Sequence, residues 1–234
     1  MPTRTRTVIR QAAAALAAAI VLGACSSAHP RTITLTFIRH GQSESNAAGI
    51  IDTDLPGPGL TKEGRGQAQQ LAHQLRGNHY DGIYASSMRR SQQTATPLAE
   101  EIGRAVQVLP GLREIDAGWY DGGPSSRSND TYLLAPEDWL RGDRTLAIPG
   151  SINGNQFNEQ FGAAVQKIYD SGDTNPVAFS HGTAIMTWTL MNVRNPKTSL
   201  MTDHPLPNVG RVVITGNPVT GWRLVDWDGI RAFN

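Results

Sequence analysis

Short β-rich runs alternate along this chain with stretches of helical periodicity, and this alternation limits the fold more than any other feature of the sequence. The pattern predicts strands at 32–38, 83–85, 106–108 and 177–180, and helices at 61–77, 89–103, 157–169 and 183–191. Strands that alternate with helices build a mainly parallel sheet with helices packed on both faces. We therefore expect one three-layer α/β/α domain over residues 32–234.

Two segments interrupt the alternation. The β-rich runs 211–215 and 222–225 flank a turn at Asn217-Pro218, so we expect them to pair as antiparallel neighbours at an edge of the sheet. Residues 119–154 hold many Gly, Pro, Ser and Asn residues and predict an irregular insertion with one short helix near 137–141. The mainly parallel sheet should therefore carry an antiparallel edge.

The first 24 residues have the pattern of an export signal. Three arginines precede an apolar run at 12–24, which is shorter than the roughly 20 residues of a membrane span but fits a signal peptide. The run ends in Leu22-Gly23-Ala24-Cys25, which resembles a bacterial lipobox. We expect removal of residues 1–24, lipid attachment at Cys25 and a tether at 25–31, which would hold the protein on the outer face of the bacterial cell membrane. An ordinary signal peptide with an incidental cysteine, or an uncleaved anchor, is the alternative.

The charge balance argues against nucleic acid as a partner. The chain has 21 basic and 20 acidic residues and a formal charge of +1. Without the three leader arginines, 18 basic and 20 acidic residues remain, and the rest of the chain carries −2. A nucleic-acid binder needs a basic face, so we expect no such partner. No metal-ligand spacing, dinucleotide fingerprint or P-loop is evident, so no cofactor is expected either.

Two short histidine motifs directly follow predicted strands. Arg39-His40-Gly41 comes after the first strand and Ser180-His181-Gly182 after the fourth. In parallel α/β sheets, binding sites gather at the carboxyl ends of the strands, so both motifs are candidates for one site. Taken alone, each tripeptide is a weak signal, because a single histidine at a strand end is more often structural than catalytic.

Five ordered blocks make the signal specific. They are Arg39-His40-Gly41-Gln42-Ser43-Glu44-Ser45-Asn46, the helix opening at 60–68, the segment 86–95 with Arg89-Arg90, Leu112-Arg113-Glu114-Ile115-Asp116-Ala117-Gly118, and Ser180-His181-Gly182. In this order the blocks resemble the histidine phosphatase superfamily, also called phosphoglycerate-mutase-like, over about residues 33–230. With the lipobox, they also resemble a group of mycobacterial lipoproteins. The resemblance implies the phosphoglycerate-mutase-like α/β fold. Gly182 follows the second histidine where the acid-phosphatase branch has Asp, which disfavours that branch.

The resemblance also implies the roles of the residues. His40 would be the nucleophile, since a neutral imidazole can take a phosphoryl group. Charge-assisted donors suit the oxygens of a phosphoryl group in transfer. Those donors would be Arg39 and Arg90, with His181 as a further donor and Asn46 as a neutral one. A one-residue shift in alignment would exchange Arg90 for Arg89.

Glu114 aligns with the family's proton donor, which acts as general acid and then as general base. Asp116 and Asp121 lie near the same loop and stay as alternatives.

Hydrolysis of a phosphorylated small molecule, without a metal, is the activity that these residues favour. A phosphoglycerate mutase would need extra basic residues for the substrate carboxylate and second phosphate. Residues 119–154 contain only Arg127, Arg141 and Arg144, against five acidic residues. Mutase chemistry and a non-catalytic ligand-binding lipoprotein are therefore the alternatives to a phosphatase.

Overall fold

Six strands form one mixed sheet in the order β3-β2-β4-β1-β5-β6 in a computed structural model that describes residues 30–233. The predicted leader 1–24 and Cys25 lie outside the described residues. The strands are β1 (Ile33–Arg39), β2 (Gly82–Ala85), β3 (Val106–Val108), β4 (Pro176–Ser180), β5 (Arg211–Asn217) and β6 (Gly221–Trp227). The α-helices are α1 (Glu44–Ala48), α2 (Lys62–Leu75), α3 (Arg89–Ile102), α4 (Leu134–Arg141), α5 (Gly154–Asp170), α6 (Gly182–Asn192) and α7 (Leu200–Asp203).

The pairing of the strands agrees with the predicted fold class. β1, β2, β3 and β4 run parallel, while β5 pairs antiparallel with β1, and β6 antiparallel with β5. In the β1–β4 pair, Arg39 lies opposite Ser180. The strands that precede the two histidine motifs therefore end side by side.

Helices cover both faces of the sheet, and the side chains of β1 show how the layers form. Successive residues of a strand point to opposite faces. Phe37 belongs to the larger apolar cluster, which includes Phe161 of α5 and Trp188 of α6, whereas Ile38 belongs to the smaller cluster, which includes Leu71 of α2 and residues of α3. Both faces of the strand are thus buried, as the continuous β-rich run predicts.

The segment 119–154, predicted to be irregular with one short helix, holds more helix than expected. α4 begins at Leu134, and three-residue and six-residue 3₁₀ turns occupy Gly118–Tyr120 and Ser125–Asp130. The short helices α1 and α7 have no apolar periodicity that a sequence reading could detect. α1 is instead fixed by a capping box between Ser43 and Asn46. Within residues 30–233, no helix combines the length and the apolar character that crossing a membrane requires.

Candidate active site

The two histidines lie side by side because β1 and β4 are neighbours. The amide of His40 donates to the carbonyl of Ser180 at 3.0 Å, which ties the residue after β1 to the end of β4. The ring centroids of His40 and His181 are 5.1 Å apart, and both rings are buried. The carboxyl edge of the sheet therefore presents two imidazoles at one point.

Hydrogen bonds assign the tautomer of His40. Its Nδ1 lies 2.7 Å from the carbonyl oxygen of Gly41, an acceptor, so Nδ1 carries the proton. Nε of Arg90 donates to the other ring nitrogen, Nε2, at 3.1 Å. Burial, followed by the positive charges of Arg90 and Arg39, holds the pKa of His40 well below its usual value. A neutral ring with a lone pair on Nε2 results, which is the form that attacks phosphorus.

Two serine hydroxyls hold the ring of His181. Its Nε2 lies 2.9 Å from Oγ of Ser86 and 3.2 Å from Oγ of Ser91. Burial, then the charge of Arg90, holds the pKa of His181 well below its usual value. When a serine hydroxyl donates to Nε2, the proton of the neutral ring lies on Nδ1. This nitrogen has no hydrogen-bond partner among residues 30–233.

Arg90, rather than Arg89, reaches the site. Arg89 is exposed, whereas Arg90 is 2% exposed and enters from the first turn of α3. Nη2 of Arg90 donates to the carbonyl of Asp52 at 2.9 Å, and Nη1 lies 3.5 Å from Oδ1 of the same residue. Gly57 packs against this guanidinium so closely that an added Cβ would lie 2.7 Å from Nη1. The loop after α1 therefore holds the guanidinium in place.

Arg39 and Asn46 complete the predicted phosphate-binding set. Arg39 leaves the end of β1, and its Nη1 donates to the carbonyl of Leu206, while the buried Nε has no partner among the described residues. Asn46 lies at an exposed position of α1. His40, Arg39, Asn46, Arg90 and Glu114 all line one cavity of about 200 Å³.

Glu114 is held at this cavity by the N-terminus of α6. Its Oε1 accepts from the amides of Ile115 at 2.9 Å and Ala184 at 2.8 Å, and its Oε2 accepts from the amide of Thr183 at 3.3 Å. Burial raises the pKa of the Glu114 carboxyl, although these amides and the two arginines oppose the rise. A carboxyl with a raised pKa that lines the cavity suits a proton donor.

The other two candidate proton donors, Asp116 and Asp121, accept hydrogen bonds from residues of the surrounding loops. Oδ1 of Asp116 accepts from the amide of Gly118 at 2.8 Å, and Asp116 does not line the cavity. Oδ1 of Asp121 accepts from both the amide and the hydroxyl of Thr53, at 2.6 and 2.7 Å. The geometry therefore favours Glu114 as the group that meets a substrate oxygen.

Several residues of the site could not be found from the sequence. Asp52 and Thr53 line the cavity from the loop after α1, and Tyr132 lines it from the insertion, where its hydroxyl lies 3.2 Å from Oγ1 of Thr183. Asn208 donates to the carbonyl of His40 at 3.2 Å. These residues lie in loops without periodicity, and no motif in the chain marks them. Residues 30–233 contain no group of three or more His, Cys, Asp or Glu residues that could hold a metal ion.

Comparison with known proteins identifies relatives of this chain. The sequence profile of the histidine phosphatase superfamily (branch 1) matches residues 35–228. The PE-PGRS family protein PE_PGRS11 of Mycobacterium tuberculosis is 46% identical over 216 residues, which cover 86% of this chain and 37% of that protein. This chain thus spans little more than a third of that relative's length. A probable phosphoglycerate mutase, GpmB of Cronobacter sakazakii, is 30% identical over 154 residues, 64% of this chain and 69% of that protein.

Solved structures share the fold. The native structure of mycobacterial glucosyl-3-phosphoglycerate phosphatase Rv2419c superposes with a TM-score of 0.69. The match covers 86% of this chain and all of the other, at 24% sequence identity. At that identity, the likeness establishes the common architecture and nothing finer.

Proposed function

The chain belongs to branch 1 of the histidine phosphatase superfamily, and we propose from this that it hydrolyses phosphate monoesters through a phosphohistidine at His40. The observation that carries the proposal is the unprotonated Nε2 of His40. It lies beside Arg90, and His40 lines the same cavity as Glu114. Nucleophile, charge-stabilising donor and proton donor thus meet in one place.

In the first step, Nε2 of His40 attacks phosphorus and the ester P–O bond breaks. The leaving oxygen takes the proton of Glu114, whose raised pKa favours the protonated carboxyl. In the second step, Glu114 removes a proton from water, the water oxygen attacks phosphorus and the N–P bond breaks. Inorganic phosphate leaves, and both side chains return to their starting forms.

Unmet hydrogen-bonding capacity supports phosphate as the ligand. Three buried nitrogens of the candidate site have no hydrogen-bond partner among residues 30–233, namely Nε of Arg39, Nη1 of Arg90 and Nδ1 of His181. Buried polar atoms are nearly always paired. An anion with several acceptor oxygens would satisfy such donors and balance the two guanidinium charges.

The arginines of the insertion favour a phosphatase over a mutase. Arg127 pairs with Asp130 at 3.5 Å, Arg141 pairs with Asp138 at 2.6 Å, and Arg144 donates to a backbone carbonyl at 3.0 Å. Arg127, Arg141 and Arg144 do not line the cavity. A second anionic group of a phosphoglycerate would therefore find no cation there, whereas water needs none.

A non-catalytic binding protein is the remaining alternative. It would need a phosphate cradle but no proton donor. The three backbone amides that orient Glu114 weigh against it, because a binding protein gains nothing from placing a buried carboxyl beside a phosphate.

Replacement of the nucleophile tests the function. Purified protein should release phosphate from p-nitrophenyl phosphate in the presence of a chelator, and His40→Ala should lose this activity. After brief mixing with substrate, the unmodified protein should carry an acid-labile phosphate on His40. Full activity in His40→Ala would refute the proposal. His204→Ala is the matched control, because His204 is exposed and its side chain makes no hydrogen bond within residues 30–233.

We also propose that the enzyme is an exported lipoprotein anchored to the outer face of the bacterial cell membrane, within the mycobacterial group that its motifs resemble. The basic start, the apolar run and the position of Cys25 support this proposal. Metabolic labelling with a fatty acid should mark the chain in cells, and Cys25→Ala should abolish the label. Unchanged labelling in the variant would refute lipid attachment at Cys25.

A further inference from the structure

We propose that the cavity selects phosphate esters whose leaving group is uncharged and hydroxyl-bearing, and that it discriminates against esters that carry a carboxylate. The inference rests on the proposed phosphatase function and concerns the part of the substrate beyond the phosphate. It follows from which charges line the cavity and where they lie.

The proposed phosphate site uses both positively charged side chains of the cavity, Arg39 and Arg90. Among the described lining residues, only Arg39 and Arg90 carry a positive charge, since His40 is neutral. Arg90 contacts Nε2 of His40, the atom that takes the phosphoryl group. Arg39 borders Gly182, the residue after His181. Neither guanidinium is left to bind a second anion.

The remaining wall offers hydroxyls and apolar surface. Ser125 and Ser128 of the insertion line the cavity, together with the hydroxyls of Thr183 and Tyr132. The lining also includes the apolar residues Ile50, Leu133, Met186 and Leu206. Neutral hydroxyls can donate to and accept from a polyol or sugar, and apolar surface suits its C–H groups.

The carboxylate of Asp52 makes this wall unfavourable for a second carboxylate. Oδ1 of Asp52 is buried and has no hydrogen-bond partner among residues 30–233, and its only positive neighbour is Nη1 of Arg90 at 3.5 Å. A substrate carboxylate would approach this negative group with no further cation on the lining of the cavity, and like charges oppose binding.

A matched pair of substrates tests the inference. Glycerol 3-phosphate and 3-phosphoglycerate differ in that a terminal CH₂OH of the first is a carboxylate in the second. We expect kcat/KM to be about tenfold or more higher for glycerol 3-phosphate, the size expected of one like-charge pair at intermediate dielectric. Equal values, or a preference for 3-phosphoglycerate, would overturn the inference.

Hydrolysis of p-nitrophenyl phosphate is measured on the same protein. Its absence would refute the phosphatase function and this inference with it, whereas hydrolysis without a preference within the pair refutes the inference alone.

An added cation provides a second test. Ser128→Lys places an ammonium on the wall of the cavity, and the Ser128 side chain makes no hydrogen bond within the described residues. The preference for glycerol 3-phosphate should fall at least about threefold in this variant, because the carboxylate gains a partner.

Ser126→Lys is the control, since Ser126 is exposed on the same 3₁₀ turn and does not line the cavity. Its preference should match that of the unmodified protein. An unchanged preference in Ser128→Lys, or an equal change in both variants, would count against the inference.

Discussion

Nε of Arg90 donates to Nε2 of His40 across 3.1 Å, so the arginine proposed to bind the phosphate contacts the nitrogen proposed to attack phosphorus. The contact is possible only because Nε2 is unprotonated, and the proton lies on Nδ1 beside the carbonyl of Gly41. Burial and the Arg90 charge together lower the pKa of His40. One guanidinium thus helps to keep His40 neutral and, in the proposed mechanism, stabilises the charge that develops on the phosphoryl oxygens.

Arg90→Lys should lower kcat/KM for p-nitrophenyl phosphate by about 10²–10³-fold, the effect of losing one preorganised donor in an active site. An ammonium cannot reproduce the planar set of bonds that Arg90 makes to His40 and to the carbonyl of Asp52. Steady-state kinetics measure the effect.

Arg89→Lys provides the control, because Arg89 is the exposed neighbour on the same helix turn. It should leave kcat/KM within about twofold of the unmodified protein on general grounds for surface substitutions. A greater loss in Arg89→Lys than in Arg90→Lys would show that the assignment of the second arginine is wrong.

The sheet and the pair of histidines were predictable because each depends on a strong local pattern. β-rich runs gave the strands, and a histidine directly after a strand lies at the carboxyl edge of the sheet whatever its loop does next. The antiparallel edge was predictable for the same reason, since a turn at Asn217 separates two β-rich runs.

The loops that complete the site were not predictable in this way. Asp52 meets Arg90 only because the chain after α1 folds back over α3, a contact between residues 38 positions apart. Likewise, Glu114, Asp116 and Asp121 are chemically similar in sequence, and only the amides of α6 distinguish Glu114 from the others. Such long-range contacts leave no periodic trace.

Glu114→Gln should impair hydrolysis of an alkyl phosphate far more than that of p-nitrophenyl phosphate. An alkoxide leaving group needs a proton as the ester bond breaks, whereas nitrophenolate leaves without one. We expect a loss of about 10²–10⁴-fold in the rate of the first step for glycerol 3-phosphate, as for removal of a general acid. Release of the leaving group in the first turnover, nitrophenolate from one ester and glycerol from the other, gives the comparison.

Asp116→Asn and Asp121→Asn separate the proton donor from its rivals. Both should keep the ratio of the two initial rates, although Asp121→Asn should also lower the free energy of unfolding because Thr53 loses a charged acceptor. A selective loss of alkyl phosphate hydrolysis in either variant would transfer the role from Glu114.

The buried histidines should make the protein less stable in mild acid. The pKa values of His40 and His181 lie well below 6.5 in the folded state, so the unfolded chain binds more protons below about pH 6.5. Between pH 7 and 5.5, the free energy of unfolding should therefore fall, by up to about 1.4 kcal/mol per pH unit for each histidine. Urea unfolding at several pH values measures this slope.

Carboxyl groups with raised pKa values act in the opposite direction. Folded Glu114 and Asp52 take up protons before their unfolded counterparts, so their contribution to stability grows as pH falls. The histidine contribution is isolated by comparison with a His40→Gln, His181→Gln double variant, whose slope should be shallower. His204→Gln should keep the original slope, and equal slopes in all three proteins would contradict the prediction.

Gly57 should be essential for the position of Arg90, beyond any effect on stability. It has φ +66, where a side chain costs roughly 1–2 kcal/mol, and an added Cβ would lie 2.7 Å from Nη1 of Arg90. Gly57→Ala should therefore lower kcat/KM by at least about tenfold, since small displacements of a preorganised donor weaken catalysis strongly.

Gly49→Ala is a close control, because Gly49 has φ +67 but its Cβ would meet nothing nearer than Ser125 Oγ at 3.8 Å. Both variants should lose similar stability in urea, and only Gly57→Ala should lose activity. Equal activities in the two variants would show that Arg90 does not depend on this contact.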